Sequence, residues 1–388
     1  MRHVLVEGWR GISQSFAMVN QYQLCALAQM PGLSVEHRDL PYDRKHWNTT
    51  DNAPGFPDAM HQRIAAVPPP SRASYDCVYS IASPFRKSPT PAAKALTFMT
   101  GEYGLRPDSF LDNRPDIDAF CAGRDEIVVP SRWSKMKALE FGFPEAKVAI
   151  VPHGVDAALF SPLAPAERQA ARRQIGVPED DFVFLNLGAM TANKGIDILV
   201  RAFARVRRQH PRARLLLKDD YKLYGISAAT IVQHALAQTP ELVSEDLRRG
   251  IVLISSTLTL SQLRLLYGAA DAYVSPYRAE GFNLPVIEAI ACGTPVIVTA
   301  GGATDDFCSV QTAHRIASRQ VDNAAAGIPG TGYHLEADDD DLVRLMDLAL
   351  SPNGPSPMGE AAFESGRRRM IERYSWDSCA RQLAHLMT

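Results

Sequence analysis

Two glutamates eight positions apart, Glu280 and Glu288, frame the part of this 388-residue chain best equipped for chemistry. Leading into and through them runs Ser275-Pro276-Tyr277-Arg278-Ala279-Glu280-Gly281-Phe282-Asn283-Leu284-Pro285. The pattern reads as a strand ending at Pro276, a loop carrying Glu280 and Gly281, and then a helix. Pro285 fits the first turn of that helix, where its missing N–H costs nothing. Gly293 fits the stop. A helix N-terminus at the carboxyl end of a parallel strand presents N–H groups to an anion. The amides near Phe282, Asn283 and Leu284 are therefore candidates to hold a phosphate or sugar hydroxyls, and Gly281 lets the backbone come close. Glu288 falls roughly one turn inside the helix. A carboxylate there would repel a phosphate, so its natural partners are hydroxyl donors such as those of a ribose. A retaining glycosidase needs two carboxyls about 5 Å apart. Eight residues of helix span ~12 Å, which favours two separate binding roles.

The elements that must position these residues alternate short β-branched runs with helical patterns, the signature of parallel sheets covered by helices. Strands are expected at 3–7, 75–82, 94–99, 126–130 and 148–152, with helices at 16–30, about 57–66 and 131–142. Ser131 can cap the last of these, and Gly142 ends it. Residues 153–180 are rich in Pro and charge and read as an interdomain linker. The pattern then restarts, with strands at 182–188, 214–218, 251–255, 272–276 and 295–299. Helices are expected at 196–210, 260–270, 284–292 and 375–387. The domains are expected at 1–160 and 161–372, with 373–388 a final helix crossing back to the first.

Composition narrows the function. Lys and Arg number 41 against 43 Asp and Glu, which argues against broad electrostatic binding to nucleic acid. No apolar run approaches the length of a membrane span or a signal peptide's core, so a cytoplasmic protein is expected. The six cysteines are scattered without metal-like spacing and read as reduced, buried thiols. The acidic run Asp338 to Asp341 precedes a helical pattern, where capping explains it better than metal binding. Trp9, Trp47, Trp133 and Trp376 read as packing residues.

The run AEGFNLPVIEAIACGTPVIV (279–298) resembles the signature of the retaining glycosyltransferase family 4, among the group 1 glycosyl transferases. The resemblance continues in VVPSRWSKMKALEFG (128–142), VAIVPHGVD (148–156), GAMTANKGIDILVRAF (188–203) and YSWDSCARQL (374–383). It implies an α/β chain of GT-B architecture, two Rossmann-like domains whose parallel sheets face a central cleft. The first would take the acceptor and the second the nucleotide-sugar donor. It implies that Glu280 faces the donor sugar, that Glu288 holds the ribose, and that Phe282, Asn283 and Leu284 touch sugar and phosphate. Lys194 would neutralise the leaving diphosphate. No metal or other cofactor is implied. The partners would be a UDP- or GDP-sugar and a sugar, lipid or small-molecule acceptor, with peripheral membrane attachment conceivable for a lipid.

The chain also departs from the family. An Arg commonly found five positions before the phosphate Lys is Ala189 here, and Arg278 or Lys218 is expected to replace it. A His usual after an N-terminal-domain strand is absent, and Thr100 or Glu102 could fill its place. The resemblance turns the loop Gly8-Trp9-Arg10-Gly11 toward the cleft, with Gly11 near donor phosphate and Arg10 near acceptor. A plain strand-helix turn reads as well. Gly301 and Gly302 admit a diphosphate or an ordinary turn, and His153 reads as packing at the domain junction rather than catalysis. Two rival readings of the same architecture are a sugar-nucleotide epimerase and a non-catalytic sugar-nucleotide binder.

Overall fold

The runs VLV (4–6) and VFLNL (183–187) are buried on both faces, so they can sit only in the middle of covered sheets. In the computed structural model, which describes residues 1–351, 354 and 356–388, they do so in two compact units. The first unit takes residues 1–154, 322–333 and 373–388, and the second takes 155–321 and 334–372.

The first unit holds β1 (Arg2–Gly8), β2 (Leu33–Asp39), β3 (Cys77–Ile81), β4 (Ala95–Phe98), β5 (Glu126–Val129) and β6 (Val148–Ile150). Their order is β2-β1-β3-β4-β5-β6, all parallel. The chain order reverses between β1 and β3, a switch point where the loop Gly8–Gly11 leaves the sheet. The last helix, Trp376–Leu386, belongs to this unit and packs on the helix Ser15–Leu27, with Trp376 stacked on Tyr22 at 4.7 Å. Segment 322–333 also docks here. The Lys137 ammonium donates to Tyr333 O at 2.6 Å and lies over the Trp133 and Tyr333 rings.

The second unit holds β7 (Phe182–Gly188), β8 (Ala213–Asp219), β9 (Ile251–Ile254), β10 (Ala272–Ser275), β11 (Val296–Thr299) and β12 (Ala313–Ile316). The order is β12-β11-β10-β7-β8-β9, again all parallel. This is the doubly wound Rossmann order, with its switch point between β7 and β10. A short pair, β13 (Ser318–Asp322) and β14 (Tyr333–Ala337), follows. The helix Ile196–Gln209 covers one face of the main sheet, burying Ile198, Leu199, Ala202, Phe203 and Val206. That spacing is the amphipathic one seen in its sequence.

The stretch expected as a linker is instead built into the second unit from Val155 onward. Its helix Pro165–Gln174 is anchored by Arg168 and Arg172, which both pair with Asp271 at 2.6 and 2.5 Å. At the acidic run, Asp338 caps the helix Asp339–Ala349 by accepting from Asp341 N at 2.8 Å. Among the described residues no helix is long and apolar enough to cross a membrane.

Candidate functional site

The switch point of the second sheet is where two loops must meet, one after β7 and one after β10. They are zipped together. Asn193 O accepts from Arg278 N at 2.7 Å, and Asn193 Nδ2 donates to Ala279 O at 3.0 Å. Gly195 makes this approach possible. Its φ is +66°, and a Cβ there would sit 2.0 Å from Pro276 O. The zipper brings Lys194 and Glu280, 86 residues apart in sequence, to an ion pair of 2.5 Å. Glu280 is buried, while Lys194 keeps 22% of its side chain exposed.

The helix after this loop starts at Leu284 with Pro285 in its first turn. Asn283 precedes it in the left-handed region, φ 77°, held by its Nδ2 donating to Ser275 Oγ at 3.1 Å. The Phe282 ring packs 4.9 Å from Phe307. Gly281, Phe282, Asn283 and Leu284 thus line the mouth of a helix N-terminus at the carboxyl edge of β10, beside the Lys194–Glu280 pair.

Glu288 lies one turn further in and accepts from the Tyr267 hydroxyl at 2.7 Å. Burial pushes its carboxyl up to about 7, with the Tyr267 hydrogen bond opposing the rise. The sign has two consequences. The folded pKa lies above the unfolded one, so this group's contribution to stability is greatest below about 4.5 and is lost as pH rises through about 7. A hydroxyl donor prefers the carboxylate, so a ligand that places a hydroxyl on Glu288 should bind several-fold more tightly at pH 8 than at pH 6. A Glu288→Gln variant should bind more weakly and with a flat pH dependence over that range, measured by titration calorimetry.

The two arginine substitutes fare differently. All five N–H groups of Arg278 are engaged. Nε and Nη2 donate to Glu336, Nη1 and Nη2 to Asp197, and Nη1 also to Ala192 O, at 2.7–3.1 Å. All of its donors are thus met by acceptors within the protein. Lys218, the penultimate residue of β8, is buried and paired with Asp220. Gly302 underlies Tyr277, whose hydroxyl would lie 2.5 Å from an added Cβ, so here the turn is a packing turn. Gly301 N donates to Asp305 at 3.0 Å.

In the first unit, Gly11 has φ +80°, and a Cβ would lie 2.7 Å from Thr49 Cγ2. Arg10 pairs with Asp39 at 2.5 Å, and Trp9 donates to Pro41 O at 2.9 Å. The loop is thus clamped by the segment after β2. Thr100 Oγ1 lies 3.2 Å from Ser134 Oγ, while Glu102 is exposed and its carbonyl accepts from Trp133 Nε1 at 2.9 Å. His153 packs 5.6 Å from Phe98 and 6.2 Å from Trp376, and burial pulls its pKa down to about 3, so it stays neutral at physiological pH. Residues that the sequence reading missed are Asn193, Asp197 and Glu336, which hold the two loops. Asn and Asp in a loop carry no periodic signal, and Glu336 is brought in by β14.

Two parallel Rossmann-like sheets, each on its own compact unit, are the architecture of the GT-B fold. Residues 167–329 match the family model for glycosyl transferases group 1. Among curated proteins, the chain is 36% identical over 240 residues to a D-inositol 3-phosphate glycosyltransferase of Kineococcus radiotolerans, across 62% of this chain and 51% of that protein. It is 32% identical over 163 residues to a mannosylfructose-phosphate synthase of Agrobacterium fabrum, across 42% of this chain and 35% of that one. The chain thus spans about half the length of the first relative and about a third of the second. Among solved structures, a glycosyltransferase from Rickettsia africae superposes with a TM-score of 0.69 at 16% identity, over 100% of this chain and 98% of that one. Anabaena HepE, solved with UDP-glucose, superposes with a TM-score of 0.66 at 14% identity, over 99% of both. Likeness at these identities speaks to the fold.

Proposed function

We propose that the chain is a retaining, metal-independent glycosyltransferase that moves a hexosyl group from a UDP- or GDP-sugar to a hydroxyl acceptor. The observation that carries this reading is the Lys194–Glu280 pair at the switch point, beside a helix N-terminus opened by Gly281 to Leu284. The amides of that N-terminus and the Lys194 ammonium would take the diphosphate, with Lys218 contributing charge where the family Arg is Ala189. Glu288 would take the ribose hydroxyls, its second oxygen being distinct from the one Tyr267 holds.

In the reaction, the acceptor oxygen attacks the anomeric carbon on the face from which the diphosphate leaves. The C–O bond to the diphosphate breaks, and the acceptor's proton passes to the leaving phosphate oxygen. Negative charge grows on that oxygen, and Lys194 would offset it. Glu280, facing the sugar, would stabilise the positive charge developing at the ring. The acceptor would bind the first unit, near Arg10 and the loop carrying Thr100 and Glu102. Among the described residues no group of three or more His, Cys, Asp or Glu is placed to hold a metal ion. The proposed neutralising role is Lys194's.

A thermal-shift panel of nucleoside diphosphates and their sugars tests the reading. A donor that binds the folded state raises the melting temperature by mass action. The expected result is a shift with UDP- or GDP-sugars that survives EDTA. No shift with any nucleotide sugar, or one that EDTA abolishes, would count against it. Conversion of the donor without an acceptor would instead indicate an epimerase.

A further inference from the structure

We infer that Arg278 is a positioning residue, a clamp that presets Lys194 and Glu280 from behind without touching the donor. This rests on the proposed donor site. The geometry is specific. Through Ala192 O and Asp197, Arg278 grips the chain two residues before and three residues after Lys194. Glu280 follows Arg278 by two residues in its own loop. The other side of the guanidinium is held in a second two-point contact by Glu336 on β14, and Arg278 O accepts from Leu335 N at 2.9 Å. One side chain therefore ties both halves of the reactive pair to a third element. Arg201 shares the load, donating to Asp197 at 3.1 Å and to Asp339 at 3.1 Å. Arg278 is mostly buried, so its two carboxylates cannot turn to solvent without breaking the clamp. A planar fork can satisfy two carboxylates at once, whereas a lysine ammonium supplies charge without the second plane.

A misplacement of about 1 Å at reacting groups can cost ~100-fold, so a loosened clamp should appear in turnover rather than in donor affinity. The test measures nucleoside diphosphate release from UDP-glucose and GDP-mannose, with donor Kd by calorimetry, for the wild type, Arg278→Lys, Glu280→Gln and the double variant. Arg278→Lys should lower kcat ~10-fold or more while Kd stays within ~3-fold. In the Glu280→Gln background the same change should cost several-fold less than in the wild type, because one of the two groups it positions is gone and only Lys194 remains to be displaced. Asp197→Asn and Glu336→Gln, which each loosen one face, should repeat the pattern and serve if Arg278→Lys folds poorly. A rise of ~10-fold or more in Kd would make Arg278 a donor contact, and equal costs in both backgrounds would make it merely structural. Either result overturns the inference. A wild-type protein that binds neither sugar overturns the donor site itself, a separate failure.

Discussion

Glu280→Gln should lower turnover by ~100-fold or more, about 3 kcal/mol of lost transition-state stabilisation, with donor affinity changed only a few-fold. The amide keeps the shape and one acceptor oxygen of the carboxylate, so ground-state contacts to sugar hydroxyls largely survive. What disappears is the negative charge beside a centre that becomes positive as the glycosidic bond breaks. That charge is worth most where water is excluded, and Glu280 is 3% exposed. Steady-state kinetics with the donor identified by thermal shift separates the two quantities. Near-normal kcat would remove Glu280 from the reaction, and a collapse in Kd with kcat intact would make it a binding group.

The site was legible in sequence because its parts are local. Glu280, Gly281, Asn283, Pro285 and Glu288 lie within nine residues, and a strand, a glycine loop and a proline-started helix leave a spacing that physics can read. Lys194 was named through resemblance, since nothing local ties it to Glu280; the tie is made by β7 and β10 lying side by side. The strands that were visible, such as 182–188, are unbroken apolar runs. Strand β2 was not visible because its sequence, Leu-Ser-Val-Glu-His-Arg-Asp, is mostly polar. It is a strand because partners from afar satisfy it: buried Glu36 accepts from Ser71 N at 2.6 Å and from the Tyr75 hydroxyl at 2.5 Å. Tertiary hydrogen bonds there override local pattern. Arg278 is the converse case. Its position beside Glu280 suggested a phosphate contact, and the carboxylates that claim it come from Asp197 and Glu336, 81 and 58 residues away.

Lys194→Met should reduce turnover ~100- to 1,000-fold and also destabilise the second unit, two effects with one origin. The leaving diphosphate loses the cation that offsets its growing charge. In the unliganded fold, Glu280 is left buried without the partner 2.5 Å away. Removing one member of a fully buried pair costs ~3–5 kcal/mol. Lys194 is partly exposed, so water can replace some of what is lost, and about 2 kcal/mol is the expected loss here. The stability and activity effects should separate in the double variant Lys194→Met/Glu280→Gln. Neutralising the stranded carboxylate should restore most of the stability, seen as a recovered midpoint in chemical denaturation. Turnover should stay as low as in the worse single variant, because neither charge needed in the transition state has returned. A double variant no more stable than Lys194→Met would mean that the pair does not hold the two loops together. One that recovered turnover would mean that the Lys194 charge serves only to balance Glu280 in the resting fold and never meets the diphosphate.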